Sequence, residues 1–204
     1  MKNKASLFVI TGASGVGKDT IMRAALPDIE NLFFSISATT REKRKGEIHG
    51  KKYYFYERSE FEKLIENDGL LEYADYVGDY YGTPKQPVDQ ALAAGKDVLL
   101  ELELVGARKA KEKYPDAVMI FIAPPTLMEL ERRLRSRGTD SEEKIQKRLT
   151  RARTEIRAVR EFDYVIVNDM LSKAVSEFKS VITAERVNTK NLTDAEISIF
   201  LKEL

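Results

Sequence analysis

The segment Gly12-Ala13-Ser14-Gly15-Val16-Gly17-Lys18 matches the pattern G-x-x-x-x-G-K. An apolar run, Ser6-Leu7-Phe8-Val9-Ile10-Thr11, leads into it, and a helical stretch from Thr20 to Ala25, stopped by Pro27, follows. That is the strand–turn–helix setting a phosphate cradle needs. Glycines let successive backbone N–H groups turn inward around phosphate oxygens, and the helix N-terminus adds partial positive charge. Lys18 is long enough to reach the β- and γ-phosphates of a nucleoside triphosphate. A plain strand-to-helix connection is the alternative, and spacing and context together weigh against it. The position after the lysine ordinarily supplies a Ser or Thr hydroxyl to Mg²⁺; here it is Asp19, followed by Thr20. Asp19 can ligate the metal directly or through water. It can instead face solvent as a first-turn acid that suits the helix dipole, leaving the metal to Thr20 or water, or it can repel the nucleotide. The candidates for the Mg²⁺ site are therefore Asp19 and Thr20.

Further groups could serve phosphate chemistry. Arg41 and Arg44, three positions apart, can grip a monophosphate through fork-shaped, charge-assisted hydrogen bonds. In Leu100-Glu101-Leu102-Glu103-Leu104 the alternation places both glutamates on one face. A central parallel strand should be apolar on both faces, so two carboxylates at its carboxyl end point to a ligand or metal. Cations concentrate in Arg132-Arg133-Leu134-Arg135-Ser136-Arg137-Gly138-Thr139 and in Lys147-Arg148-Leu149. The bland reading is a solvated helix face, and Arg132, Arg135, Arg151 and Arg160 are assigned to it. For Glu47 and the lone His49 a surface or turn role weighs at least as heavily as a functional one.

Positioning these groups requires a full core, and 204 residues with 43% hydrophobic content can build one. Besides residues 6–11, apolar runs at 97–100, 117–123 and 164–167 read as strands. Helical segments are predicted at 87–94, 105–113, 127–137 and 142–160. Strands alternating with helices predict an α/β fold with a parallel sheet covered on both faces. Residues 37–86 break the rhythm and read as a small mixed insertion with a hairpin at Val77-Gly78-Asp79-Tyr80 and one short helix opened by a capping box at Ser59 and Glu62. An arginine-rich insertion covers 126–160. Its first helix is opened by Thr126 and Glu129 and closed by Gly138. A third box, Thr193 and Glu196, precedes Ile197, Phe200, Leu201 and Leu204, whose spacing predicts a docked C-terminal helix. With 34 basic against 33 acidic residues, nothing argues for bulk binding to nucleic acid or to an anionic membrane. The lack of cysteine excludes thiol catalysis and Cys-based metal sites. No run approaches the roughly 20 apolar residues of a membrane helix, and the first residues do not read as a signal peptide. The expectation is a cytoplasmic protein.

Beyond the cradle, Ser35-Ile36-Ser37-Ala38-Thr39-Thr40-Arg41 is followed by Arg44, Gly46-Glu47, Gly50 and Tyr53, then by Leu71-Glu72-Tyr73-Ala74 and Asp79-Tyr80-Tyr81-Gly82-Thr83. In these motifs the sequence resembles the guanylate kinases, with order and spacing agreeing from about residue 6 to residue 187. The resemblance implies a P-loop NTPase-type core (1–36, 87–125 and 161–187), a GMP-binding insertion (37–86), a helical lid (126–160) and a C-terminal helix (188–204). It implies transfer of the γ-phosphoryl of ATP to GMP, and to dGMP, with Mg²⁺ as cofactor. Residues 12–20 (Gly12, Ala13, Ser14, Gly15, Val16, Gly17, Lys18, Asp19, Thr20) would hold ATP, with Asn168 on its adenine side. Arg41, Arg44, Tyr53 and Tyr81 would hold the GMP phosphate. A carboxylate accepts from both the N1–H and the exocyclic amine of guanine, so Glu72, with Ser37 and Thr83, would read the base; Glu103 would face the amine or ribose. Glu103 and Val105 stand where the family usually has Asp and Gln. Lys18, Arg41 and the lid arginines Arg133, Arg137 and Arg148 would neutralise the moving phosphoryl group. Partners are then ATP and GMP, with a homo-oligomer left open. Two other readings stay open: a phosphopeptide-binding module of guanylate-kinase-like fold, and a kinase for another phosphorylated sugar or nucleotide.

Overall fold

The computed structural model describes residues 4–76, 78–136, 138 and 140–201. Along the chain these form β1 (Leu7–Gly12), α1 (Lys18–Ala25), β2 (Leu32–Phe34), β3 (Ser37–Thr39), β4 (Tyr53–Phe55), α2 (Arg58–Glu66), β5 (Leu70–Tyr76), β6 (Asp79–Pro84), α3 (Lys85–Ala93), β7 (Asp97–Glu101), α4 (Leu104–Lys113), β8 (Val118–Ala123), α5 (Leu127–Ser136), α6 (Glu142–Arg157), β9 (Tyr164–Val167), α7 (Leu171–Arg186) and α8 (Asp194–Phe200).

The larger sheet runs β2-β7-β1-β8-β9 and is parallel throughout. β1 lies at its centre, with Val9 opposite Leu100 on one side and Met119 on the other. Side chains alternate across a strand, so β1 feeds two cores. Phe8 and Ile10 enter a buried cluster with Ile21, Leu149 and Phe178, while Leu7 and Val9 enter another with Val88, Ala107 and Ala110. Both faces are covered by helices, as the apolar strand runs predicted.

The smaller sheet, β4-β3-β6-β5, is mixed: β3 and β4 run parallel, and β6 is antiparallel to β3 and β5. The β5–β6 hairpin brings Tyr76 opposite Asp79, with Gly78 at φ 86° in the turn; Val77 lies outside the described residues. A small cluster of Ala38, Phe61 and Leu70 sits beneath this sheet.

Several local expectations are corrected. α1 begins at Lys18, two residues before the expected Thr20; it ends at Ala25 as expected, and Pro27 falls within a 3₁₀ turn over Leu26–Asp28. The box opening α2 is Glu57 with Glu60, not Ser59 with Glu62; the chain enters the helix two residues earlier than its Ser suggests. At α5, Thr126 Oγ1 accepts from the Glu129 N–H at 3.0 Å, but the Glu129 carboxylate turns to Arg132 and Arg133 instead of closing a box. α6 ends at Arg157 and continues as a 3₁₀ turn through Glu161. The Thr193–Glu196 box is present, yet α8 does not dock by its apolar side: Ile197, Phe200 and Leu201 are exposed, and the residue it buries is Glu196. Leu204 lies outside the described residues. Strand β2 and helix α7 were not anticipated. Among the described residues no helix is long and apolar enough to cross a membrane.

Candidate active site

The loop between β1 and α1 is anchored from below. Ala13 and Val16 are fully buried in the core, so their contribution upward is backbone alone. Gly17 caps α1 at φ 98°, ψ 24°, a left-handed conformation that favours glycine. A Cβ there would also stand 2.5 Å from Asn168 Nδ2. Asn168 is buried, donates from Nδ2 to the Val16 carbonyl at 2.8 Å, and thus props the loop from beneath. Arg133 Nη1 donates to the Asn168 carbonyl at 2.9 Å and Nε to Glu129 at 2.7 Å, which ties α5 to that prop. Lys18 Nζ donates to the Gly12 carbonyl at 2.9 Å. Arg148 Nη1 reaches Ser14 Oγ at 3.3 Å from α6. A cavity of about 400 Å³ opens over the loop, lined by Lys18, Asp19 and Thr20 among others.

Two further cavities adjoin it at the carboxyl ends of the parallel strands, where open α/β sheets bind ligands. One of about 420 Å³ is lined by Lys18, Asp19, Ser37, Tyr53 and Glu101; another of about 470 Å³ by Ser37, Tyr53, Glu72, Tyr81 and Gly106. The structure therefore brings the cradle and the residues from 37, 53, 72 and 81 around one connected space.

Glu72, on β5, is 7% exposed and accepts from Thr83 Oγ1 on β6 at 2.8 Å. Burial pushes its carboxyl above the ordinary range, partly offset by the Thr83 hydrogen bond. Gly106 permits this packing, since a Cβ there would lie 2.8 Å from Glu72 Oε2. Tyr53 and Tyr81 meet edge to face, with ring centroids 6.0 Å apart. Arg41 lies beside Tyr53, its Cζ 5.7 Å from the ring centroid, and Nη2 donates to both oxygens of Glu47 at 2.9 and 3.0 Å. Arg41 and Arg44 do not line the described cavities.

The expectation that Glu101 and Glu103 share a strand face is corrected. β7 ends at Glu101, and Glu103 is the N-cap of α4. Glu101 stays half-buried, and burial pushes its carboxyl up, with Lys18 opposing the shift. The Glu103 carboxylate is exposed and accepts from Arg151 Nη2 at 2.5 Å. Arg151 was assigned to a solvated face, yet it lines two of the cavities. Glu47, read as surface, is only 16% exposed at its side chain. The signal for Arg151 was available in the spacing of Arg148, Arg151 and Glu155 on one helix face. Glu47 stood in the quoted Gly46-Glu47 motif, but no periodicity marked its burial against Arg41. His49 Nδ1 accepts from the Phe55 N–H at 3.2 Å, a structural role. Arg132 and Arg135 pair with Glu129 and with Glu131 and Glu142 at the surface. Arg137 lies outside the described residues.

Residues 4–185 match the family model described as Guanylate kinase. A guanylate kinase of Thermus thermophilus is 54% identical over 192 residues, covering 94% of this chain and 87% of that protein. One from Carboxydothermus hydrogenoformans is 52% identical over 190 residues, covering 93% of both. The crystal structure of guanylate kinase from Anaplasma phagocytophilum superposes with a TM-score of 0.76 at 33% identity, covering 93% of this chain and 90% of the other. Identity above half across nearly the whole sequence, together with the shared fold, leaves one conclusion: this chain belongs to the guanylate kinase family.

Proposed function

We propose that the chain transfers the γ-phosphoryl group of ATP to GMP, and to dGMP, giving ADP with GDP or dGDP. The observation that carries this reading is Glu72: a buried carboxylate, oriented by Thr83, in a cavity that joins the one over the phosphate loop. Guanine presents two adjacent donors to such a group and adenine does not, so the site selects its acceptor by leaving Glu72 unpaired with AMP. Ser37, Tyr53 and Tyr81 line the same space, and Arg41 and Arg44 close on the acceptor phosphate from the 41–47 loop. Glu103 borders the acceptor at its ribose side.

A lone pair on a GMP phosphate oxygen forms the new bond to the γ-phosphorus while the bond to the β–γ bridging oxygen breaks, and that electron pair leaves with ADP. No side chain becomes a nucleophile. The work is positioning and charge neutralisation. Residues 12–20 cradle the ATP phosphates through backbone N–H groups, and Lys18 exchanges its Gly12 carbonyl for phosphate oxygen. Asn168 acts on the adenine side by fixing the loop. Arg133, Arg137 and Arg148 complete the cage when the 126–160 segment closes with the 37–86 segment. Hard oxygen donors suit Mg²⁺, and Asp19 and Thr20 both line the loop cavity, so the residues present fit that ion. When bound, Mg²⁺ would draw charge from the β- and γ-oxygens.

The test is coupled ADP release with ATP, Mg²⁺ and either GMP or AMP. Release with GMP and not AMP is expected. No release with any acceptor, from folded protein, would overturn the reading and favour a binding module.

A further inference from the structure

Arg151 is the one cation, among the described residues, that lines both the cavity over the phosphate loop and the cavity containing Glu72. On the proposed reading the first cavity takes the donor's phosphates, and the second, through Tyr53 and Tyr81, the phosphate end of the acceptor, with Arg151 and Glu103 bordering both. Two of its grips, on Glu155 and on Glu103, are unequal. Nε donates to Oε1 of Glu155 at 2.8 Å, and Glu155 is buried, with its other oxygen lacking a hydrogen-bond partner. Nη2 donates to Glu103 across the mouth of the site, and that carboxylate is 65% exposed. An exposed ion pair contributes about 0–1 kcal/mol and is given up easily, whereas breaking a buried charge pair is costly. The guanidinium is thus pinned at one edge and exchangeable at the other.

We propose that Arg151 is a further catalytic residue: its Nη edge leaves Glu103 for the non-bridging oxygens of the phosphoryl group in transit, while Nε stays on Glu155. The role rests on the proposed GMP phosphorylation. A planar fork held on one side is preorganised for charge that grows in the transition state. In the competing arrangement Arg151 is only a tether between α6 and the start of α4.

The experiment measures kcat and both KM values, with thermal midpoints, for wild type, R151A, R151K, E103Q and the double variant E103Q/R151A. R151A should lower kcat by on the order of 100-fold with KM for ATP and GMP changed by no more than about threefold. R151K keeps the charge and the fold but cannot hold Glu155 and the phosphoryl group together, so it should lose about tenfold. The fold-loss in kcat from R151A should be the same in the Glu103 and E103Q backgrounds. A tether predicts instead that R151A adds nothing once Glu103 is neutralised, and that result would overturn the proposal. So would R151A and R151K both within twofold of wild type, or a loss confined to the KM for GMP. An active wild type with unaffected Arg151 variants defeats this role alone; a folded wild type inactive with GMP defeats the activity and the role with it.

Discussion

Glu47 binds Arg41 with both carboxylate oxygens and also accepts the Arg44 N–H at 2.8 Å, while its own N–H donates to the Arg44 carbonyl at 3.0 Å. One side chain therefore closes the 41–47 loop and sets both arginines proposed to hold the acceptor phosphate. Glu47→Gln keeps the size but weakens the charge-assisted bonds to Arg41, so the KM for GMP should rise about tenfold with a smaller change in kcat. A lower KM would show instead that Glu47 competes with the phosphate for Arg41. Glu72 gives a pH prediction. Burial raises its folded pKa above the ordinary carboxylate value, so protonation begins at a higher pH than for an exposed glutamate. Only the carboxylate accepts both guanine donors, so apparent GMP affinity should fall as pH drops through that raised value. In Glu72→Gln the slope should vanish; a wild-type affinity flat down to the ordinary carboxylate range would reject the assignment. Glu72 was legible because a motif surrounds it. Glu47 also stands inside a quoted motif, but its pairing was not legible, because its burial depends on how a charged, glycine-containing loop folds back on Arg41.

At the scale of elements, hydrophobic patterning located β1, β7 and β8 because each is an apolar run buried on both faces or nearly so, and β9 because its run is uncharged, although at the sheet edge only Ile166 is buried. β2 escaped because three residues give no period to read. α7 carried a readable one, Ala174, Phe178, Val181 and Ile182, all buried on one face. Caps were less legible than helices, since Glu57 outcompeted Ser59 once the preceding backbone was extended. The α5–α6 region has a different basis: its carboxylates work as charges on arginines. Arg132 and then Arg133 hold Glu129 well below the usual range, at about 2, and Arg135 does the same for Glu142. Depressed carboxyl pKa values favour the folded state above the unfolded value near 4.5, and that contribution is lost as pH falls toward 2. Amide exchange in α5 and at the start of α6 should therefore accelerate between about pH 4.5 and 2, and less so in Glu129→Gln. Exchange independent of pH across that window, after correction for intrinsic rates, would mean these ion pairs contribute nothing.

Across the whole molecule, two facts of packing divide the elements around the site. Leu130, Leu134, Ile145, Leu149 and Ala152, from the two arginine-bearing helices, belong to the same buried cluster as Phe8 and Ile10 of the central strand. The smaller sheet has its own cluster, and β5 joins it to the rest: Leu70 packs with Phe61, while Leu71, on the opposite face, packs with Val88 and Ala107. α5 and α6 should then share the stability of the main sheet, whereas the smaller sheet can open with only β5 as its root. Leu149→Ala leaves a cavity in the common cluster and should cost about 2–5 kcal/mol of global stability, raising exchange in β1, β8 and α6 together. Phe61→Ala removes the largest side chain of the small cluster, a loss of roughly 3–5 kcal/mol, which should appear as faster exchange confined to β3, β5, β6 and α2. Native-state hydrogen exchange of the two variants separates the cases. If Phe61→Ala loosens β1 as much as β6, the two sheets unfold as one unit, and the acceptor side cannot open independently of the phosphate loop.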